Sequence, residues 1–284
     1  MPSVKFRCSD ALRWTIAMNV SENAPIGVLD SGMGGISVLN AMRSLLPAER
    51  FVYVADSGHV PYGPKPAEYI QVRCDLIARF LIERGAKALV IACNTATAAA
   101  AEQLRATYSV PVIGMEPAVK PASAATKRGV VGVLATSGTL ASARFAALLD
   151  RFAGGIRVIT QPAPELVLLV ESGDLDSREA RAACEIAVRP LLDGGADVIV
   201  HGCTHFPFLK PLIADLAGPE VIQIDTGAAV ARHLKSMLGS RDLLAEGVNG
   251  DADFFTSGEV ATGTGVVSRL YGEAALEALP DRFR

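Results

Sequence analysis

The chain carries an internal repeat. "GAKALVIACNTA" (Gly85–Ala96) aligns in register with "GADVIVHGCTHF" (Gly195–Phe206): a Gly-Ala pair, an apolar run, then a cysteine among polar side chains. The two cysteines, Cys93 and Cys203, stand 110 residues apart. Upstream, "IGVLDSGMGG" (Ile26–Gly35) matches "VGVLATSGTL" (Val131–Leu140), with Gly27 and Gly132 separated by 105 residues. Downstream, "VPVIGME" echoes "EVIQIDT". Three matched elements in one order, at nearly constant offset, define two similar halves, one duplicated from the other.

Each half reads as strands alternating with helices. Short β-rich runs recur at Ile26–Leu29, Phe51–Ala55, Ala88–Ala92, Val110–Met115, Val130–Ala135, Ile156–Thr160, Val198–His201, Val221–Ile224 and Ala252–Thr256. Most are continuously apolar, as in strands covered on both faces. After Leu175, the residues Ala180, Ala183, Ala187 and Leu191 recur at three or four and give one apolar helical face. Asp176 with Glu179 reads as a capping box at its start. The pattern predicts an α/β protein of two pseudo-symmetric domains, with largely parallel sheets flanked by helices and a site in the interdomain cleft. The expected bounds are an N-terminal extension over 1–24, a discontinuous first domain over 25–116 plus 226–284, and a second domain over 117–225. "DADFFTSG" and the helical segment after it are expected to return to the first domain.

With 284 residues, half of them apolar, the chain needs no staples to bury a core. A formal net charge of -3 and the lack of a basic run give no footprint for nucleic acid or for an anionic membrane. Five cysteines (Cys8, Cys74, Cys93, Cys184 and Cys203), odd in number and without CxxC spacing, predict reduced thiols and a cytoplasmic location. Lys5, Arg7, Asp10 and Arg13 interrupt any secretory apolar region, and no uncharged run approaches the ~20 residues of a membrane span. Met18 offers an alternative start for a chain whose first residues show no pattern.

In open α/β sheets, ligands bind beyond the carboxyl ends of the strands. Asp30-Ser31, Cys93-Asn94-Thr95, Thr136 and Cys203-Thr204-His205 all follow strand segments and would converge on the cleft. Cys8, Cys74 and Cys184 read as packing. Cys93 and Cys203 each stand where a helix is expected to begin, a placement that lowers a thiol pKa and suits a base or nucleophile. His205 beside Cys203 reads either as a core-edge histidine or as a chemical partner of that thiol. Asp30 reads either as a cap for the glycine-rich turn or as a carboxylate serving Cys93. Glu171, ending the run "LVLLVESG", reads on its own as a helix-end surface acid.

"DSGMGG" lacks the Lys-Ser/Thr of a P-loop and does not fit GxGxxG, so it reads as a tight turn whose amides bind a carboxylate. In "VPYGPKP", the Tyr62 hydroxyl and Gly63 amide are placed to close over a ligand. Cys203 and His205 alone do not make a metal site, and neither Lys65 nor Lys210 has the setting of a pyridoxal-phosphate lysine. No cofactor or metal is therefore expected. The expected donors are neutral: Ser31, Asn94, Thr95, Thr136 and Thr204, a set suited to a zwitterionic amino acid.

Taken together, "GVLDSGMGGISVL" (Gly27–Leu39), "VPYG" (Val60–Gly63), "ACNTATA" (Ala92–Ala98), "GVLATSGT" (Gly132–Thr139), "LVESG" (Leu169–Gly173) and "GCTHFP" (Gly202–Pro207) resemble the cofactor-independent aspartate/glutamate racemase family. "IDTGAAVA" (Ile224–Ala231) looks like a late segment of that family. The resemblance implies reversible interconversion of L- and D-glutamate, supplying D-glutamate for peptidoglycan, and commonly a homodimer. It implies Cys93 and Cys203 as the two acid/base residues, Cys93 acting on the D-enantiomer and Cys203 on the L-enantiomer. It further implies that Asp30 assists Cys93, and that His205 and Glu171 assist Cys203. Asp30-Ser31, Tyr62-Gly63, Asn94-Thr95 and Thr204-His205 would hold substrate. Leu168 stands where the family often has proline.

Three rivals make different predictions. An aspartate or hydantoin racemase would share the mechanism but not the substrate. A thiol hydrolase built on Cys203 and His205 would pass through an acyl-enzyme and leave Cys93 dispensable. A metabolite-binding regulator would bind glutamate without exchanging its α-proton.

Overall fold

The computed structural model describes residues 21–247 and 250–284. Cys8, Met18 and most of the expected extension over 1–24 therefore lie outside the described residues. Among the described residues, ten strands form two sheets: β1 (Ile26–Asp30), β2 (Phe51–Ala55), β3 (Ala88–Ile91), β4 (Val112–Ile113), β5 (Val130–Ala135), β6 (Arg157–Pro162), β7 (Val198–His201), β8 (Ile222–Ile224), β9 (Ala252–Thr256) and β10 (Leu276–Ala278). The six-stranded sheet runs β10-β9-β2-β1-β3-β4 and the four-stranded sheet β6-β5-β7-β8. Every pairing is parallel.

The repeat is visible in that order. The segment β2-β1-β3-β4 has the same arrangement as β6-β5-β7-β8, strand for strand. Gly27 and Gly132 occupy matching places, and each leaves room for a helix leucine: a Cβ would lie 2.9 Å from Leu81 Cβ at the first and 2.8 Å from Leu191 Cδ1 at the second. Gly85 (φ +80) and Gly195 (φ +87) adopt the left-handed conformation that ends the preceding helix without a Cβ clash. Their backbone bonds match as well, Gly85 N to Ile82 O and Gly195 N to Leu192 O. The Gly-Ala pair at each repeat start is thus a helix stop placed just before a central strand.

The halves differ at one edge. β9 and β10 extend the first sheet beyond β2, so β2 is buried throughout. Its counterpart β6 has no such neighbour and is partly exposed, as is the edge strand β8. The expectation of strands covered on both faces therefore fails at these two edges. β10 follows the helix Val260–Leu270 and was hidden by its three-residue length. β4 spans two residues rather than the six expected, next to Pro111, which has no N–H for the ladder.

A contiguous apolar cluster joins the two sheets, including Ile26, Val28, Tyr53 and Val90 of the first with Leu134 and Ile199 of the second and Phe206 of the turn after β7. The helix Arg178–Asp193 buries Ala180, Cys184, Ala187, Val188 and Leu191. Its cap is not the expected pair of Asp176 and Glu179. Ser177 Oγ accepts from Ala180 N at 3.0 Å, and Asp174 holds Ser177 in turn. Among the described residues, no helix is long and apolar enough to cross a membrane.

Candidate active site

β1 ends at Asp30, whose buried carboxylate collects three donors. Ser31 N lies 2.7 Å from Oδ1, while Gly35 N (2.6 Å) and the Tyr53 hydroxyl (2.9 Å) reach Oδ2. Burial drives the Asp30 pKa upward, and the charge on His205 and the Gly35 amide pull it back, leaving it at about 6. Next to it, the Ser31 hydroxyl lies 3.4 Å from both Cys93 Sγ and Asp30 Oδ1.

β3 ends just before Cys93, which caps the helix Asn94–Thr107. Cys93 Sγ accepts from Ala96 N at 3.4 Å. The expected thiolate-stabilising helix start is present, but its expected consequence is not. Burial and the neighbouring Asp30 charge outweigh the Ser31 and Ala96 hydrogen bonds and push the Cys93 thiol up to about 12. Cys93 is therefore a protonated thiol at neutral pH.

Cys203 follows β7 but does not begin a helix. A 3₁₀ turn, Phe206–Leu209, starts three residues later with His205 as its cap, so the expected match with Cys93 stops at the strand end. A relay leads away from this thiol instead. Cys203 Sγ lies 3.4 Å from His205 Nδ1, and His205 Nε2 lies 2.6 Å from Glu171 Oε1. Burial alone would favour neutral imidazole, but negative charge on Cys203 and Glu171 holds His205 well above the usual histidine range. Glu171 ends the helix Pro164–Glu171 and is not the surface acid its local sequence suggests.

The glycine-rich turn seats this relay. Met33 N donates to Glu171 Oε1 at 2.6 Å. A Cβ at Gly32 would lie 2.1 Å from Glu171 Oε1, and one at Gly34 would lie 2.3 Å from His205 Nδ1. The amides of the turn do bind carboxylates, as its sequence suggested, but those carboxylates are Asp30 and Glu171 of the chain itself. The turn of the first half thus rests directly on the acid–histidine pair of the second.

A cavity of about 320 Å³, counting its open mouth, is lined by residues that follow strands of both sheets. Both Cys93 and Cys203 line it, together with Ser31, Asn94, Thr95, Thr136 and His205. Tyr62 and Gly63 form one wall with Val60 and Pro61. Asn94 is buried, and neither its Oδ1 nor its Nδ2 has a protein partner. Thr95 Oγ1 lies 2.8 Å from Thr136 Oγ1 and 3.2 Å from Thr139 Oγ1, so hydroxyls from both halves meet at the cavity.

Three expected site residues do not line the cavity. Asp30 and Glu171 stand behind the thiols, each one hydrogen-bonded residue removed. Thr204 is buried, and its carbonyl accepts from Ser37 Oγ at 2.7 Å. The Tyr62 hydroxyl donates to Asp56 Oδ2 at 2.6 Å, so it is committed away from any ligand. Thr139, Val167 and Gly202 also line the cavity and were not expected. Thr139 had a signal in the sequence, since it stands three residues after Thr136 in the same strand-end segment. Cys74 and Cys184 are buried in helices, as expected of packing cysteines. Lys65 and Lys210 do not line the cavity, and among the described residues no three His, Cys, Asp or Glu side chains gather as a metal site.

Comparison with known proteins gives the same direction throughout. The model of the Asp/Glu/hydantoin racemase family matches residues 26–234. A glutamate racemase of Pseudomonas paraeruginosa is 59% identical over 238 residues, covering 84% of this chain and 90% of the relative. Among solved structures, a glutamate racemase isoform from Bacillus anthracis superposes with a TM-score of 0.84 at 32% identity, covering 93% of this chain and all of its own. The Escherichia coli glutamate racemase, in complex with L-glutamate and the activator UDP-MurNAc-ala, superposes with a TM-score of 0.79 at 32% identity. That match covers 90% of this chain and 98% of the Escherichia coli chain.

Proposed function

The chain belongs to the Asp/Glu/hydantoin racemase family, and we infer that it is a glutamate racemase that inverts the α-carbon of glutamate between two thiols. The observation that carries this reading is that Cys93 and Cys203, one from each half of the repeat, line a single small cavity. Inversion requires a proton to leave one face of the carbon and another to arrive on the opposite face. A duplicated fold supplies a thiol from each side.

In this reading the two thiols have opposite tasks in each direction. Cys93, held high by burial and Asp30, is the acid. Cys203, beside a His205 that favours its protonated form, is the base. With L-glutamate bound, Cys203 takes the α-proton and Cys93 donates its own to the other face, giving D-glutamate. The reverse reaction begins with the protons exchanged, Cys93 as thiolate and Cys203 as thiol. Asp30, linked to Cys93 through Ser31, would accept the proton that Cys93 must lose for that direction.

The α-proton is a weak acid, and these residues provide no extended electron sink. Positioning and exclusion of water must therefore supply much of the rate. The unpartnered amide of Asn94 and the hydroxyls of Thr95, Thr136 and Thr139 are the proposed substrate donors, with the Val60–Gly63 segment closing one side. This reading takes 25–116 with 226–284 as one domain and 117–225 as the other, with substrate held between them. It also has the protein acting as a homodimer in the cytoplasm, where D-glutamate would enter peptidoglycan synthesis.

The reading is tested by incubating the protein with L-glutamate, without added cofactor, and following circular dichroism. Loss of the signal to zero is expected, with L-aspartate and hydantoins left unchanged. Activity on aspartate or a hydantoin in preference to glutamate would move the protein elsewhere in the same family. Sedimentation at enzyme-assay concentration tests the dimer.

A further inference from the structure

We propose that Asp56 and Arg73 are positioning residues for the substrate cavity, acting through the hydroxyl of Tyr62. This rests on the glutamate-racemising reading above. Asp56 follows β2 and is fully buried; Arg73 lies on the helix Ala67–Glu83 and is 5% exposed. Their contact is a two-pronged ion pair, with Arg73 Nη2 2.7 Å from Oδ1 and Nε 3.0 Å from Oδ2. The same Oδ2 accepts the Tyr62 hydroxyl at 2.6 Å. Arg73 Nη2 also donates to the carbonyl of Phe283 at 3.0 Å, so the end of the chain helps fix the guanidinium.

Burying two charges is expensive, and an apolar pair of similar volume often stabilises a fold as well or better. The pair therefore calls for a reason beyond stability. Its connection to the cavity supplies one, because the bond to Tyr62 is its polar link to the cavity wall. Tyr62 is 2% exposed, and the Val60–Gly63 segment around it forms the wall. That wall is packed tightly against the second half: a Cβ at Gly138 would lie 2.7 Å from the Gly63 carbonyl, and one at Gly63 would lie 3.3 Å from Thr136 Cβ. A shift of Tyr62 would therefore carry the wall against Thr95 and Thr136, two of the proposed substrate donors. A planar guanidinium holding both carboxylate oxygens fixes where that hydroxyl can sit.

The test is a double-mutant cycle read as KM and kcat for L-glutamate in wild type, Arg73→Gln, Tyr62→Phe and the double variant, with Arg73→Lys alongside. Arg73→Gln is expected to raise KM about tenfold while kcat stays within about threefold, the mark of lost ground-state positioning. Arg73→Lys, which keeps charge but not the fork, should raise KM less. Tyr62→Phe should raise KM to a similar degree, and the double variant should exceed the larger single effect by no more than about twofold. Full multiplication of the two effects would overturn the proposal, because Arg73 would not be acting through the hydroxyl. An unchanged KM in Arg73→Gln with only a lowered unfolding temperature would overturn it as well. If Arg73→Gln does not fold, the cycle is run with Arg73→Lys and judged by the same non-additivity. A wild type that binds but does not racemise glutamate overturns the functional reading itself, and this assignment with it.

Discussion

Glu171 Oε1 lies 2.6 Å from His205 Nε2, although the two residues come from the end of a helix and from the turn after β7. Through that contact a carboxylate fixes the ring whose other nitrogen faces Cys203. Glu171→Gln keeps the shape and removes the charge that favours imidazolium. It should lower kcat on the order of 10²-fold, and His205→Asn should lower it at least as far. Turnover of each variant, measured separately from L- and from D-glutamate, checks this. Unchanged rates in both directions would remove the pair from the mechanism.

Asp30 sets the acid side of the pH profile. Its pKa of about 6 means that the carboxylate is lost as pH falls through that value, and with it the proton acceptor behind Cys93. The rate from D-glutamate should fall below about pH 6, and the limb should disappear in a much slower Asp30→Asn variant. Stability has the opposite sign. The folded chain keeps the Asp30 proton at pH values where the unfolded chain has released it, so this residue makes the fold less stable as pH rises from about 4 to 6. Denaturant midpoints for wild type and Asp30→Asn across that range check the sign.

Gly34 is required because the histidine occupies the space a side chain would need. Gly34→Ala puts a methyl 2.3 Å from His205 Nδ1, so the ring must move. A displacement near 1 Å typically costs about 10²-fold in rate. The variant should fold, bind glutamate and turn over on the order of 10²-fold more slowly. Wild-type kcat in this variant would show that the ring position is not critical.

Away from the cavity, Lys87 Nζ meets Glu49 Oε2 at 2.5 Å, with both side chains buried. Lys87 also donates to the Glu22 and Leu243 carbonyls, while Glu49 Oε1 accepts from Ala245 N. Losing one partner leaves a buried charge uncompensated, so Glu49→Gln should destabilise the fold by about 3–5 kcal/mol. The double change Glu49→Leu with Lys87→Met should be much milder. Urea titration of the variants tests both statements, and kcat should stay near wild type in each.

The parts of this architecture that were legible in the sequence are those carried twice. Gly85 and Gly195, Gly27 and Gly132, and the two cysteines each had a partner at a fixed offset, and the paired strand orders follow from that. β10 had no such partner, and its three residues follow a helix without a turn signal strong enough to separate them. The partnership of Glu171 with His205 and the Met33 amide links positions 34 and 138 residues away, which no local pattern reveals. The helix start at Cys93 is visible in sequence and suggests a lowered thiol pKa, whereas the burial that raises it is not visible, and burial dominates. Tyr62 lines the cavity, while its hydroxyl is taken by Asp56, a residue outside the recognised motifs.

The most direct test of two opposed thiols is racemisation of protiated L-glutamate in D₂O, stopped at low conversion, with the enantiomers separated and their α-deuterium measured. Two opposed bases, one on each face of the α-carbon, predict D-glutamate that carries deuterium and residual L-glutamate that still carries protium. Cys93→Ala and Cys203→Ala should each abolish formation of the opposite enantiomer. D-glutamate that retains the original proton, or full racemisation in either cysteine variant, would contradict the two-thiol mechanism.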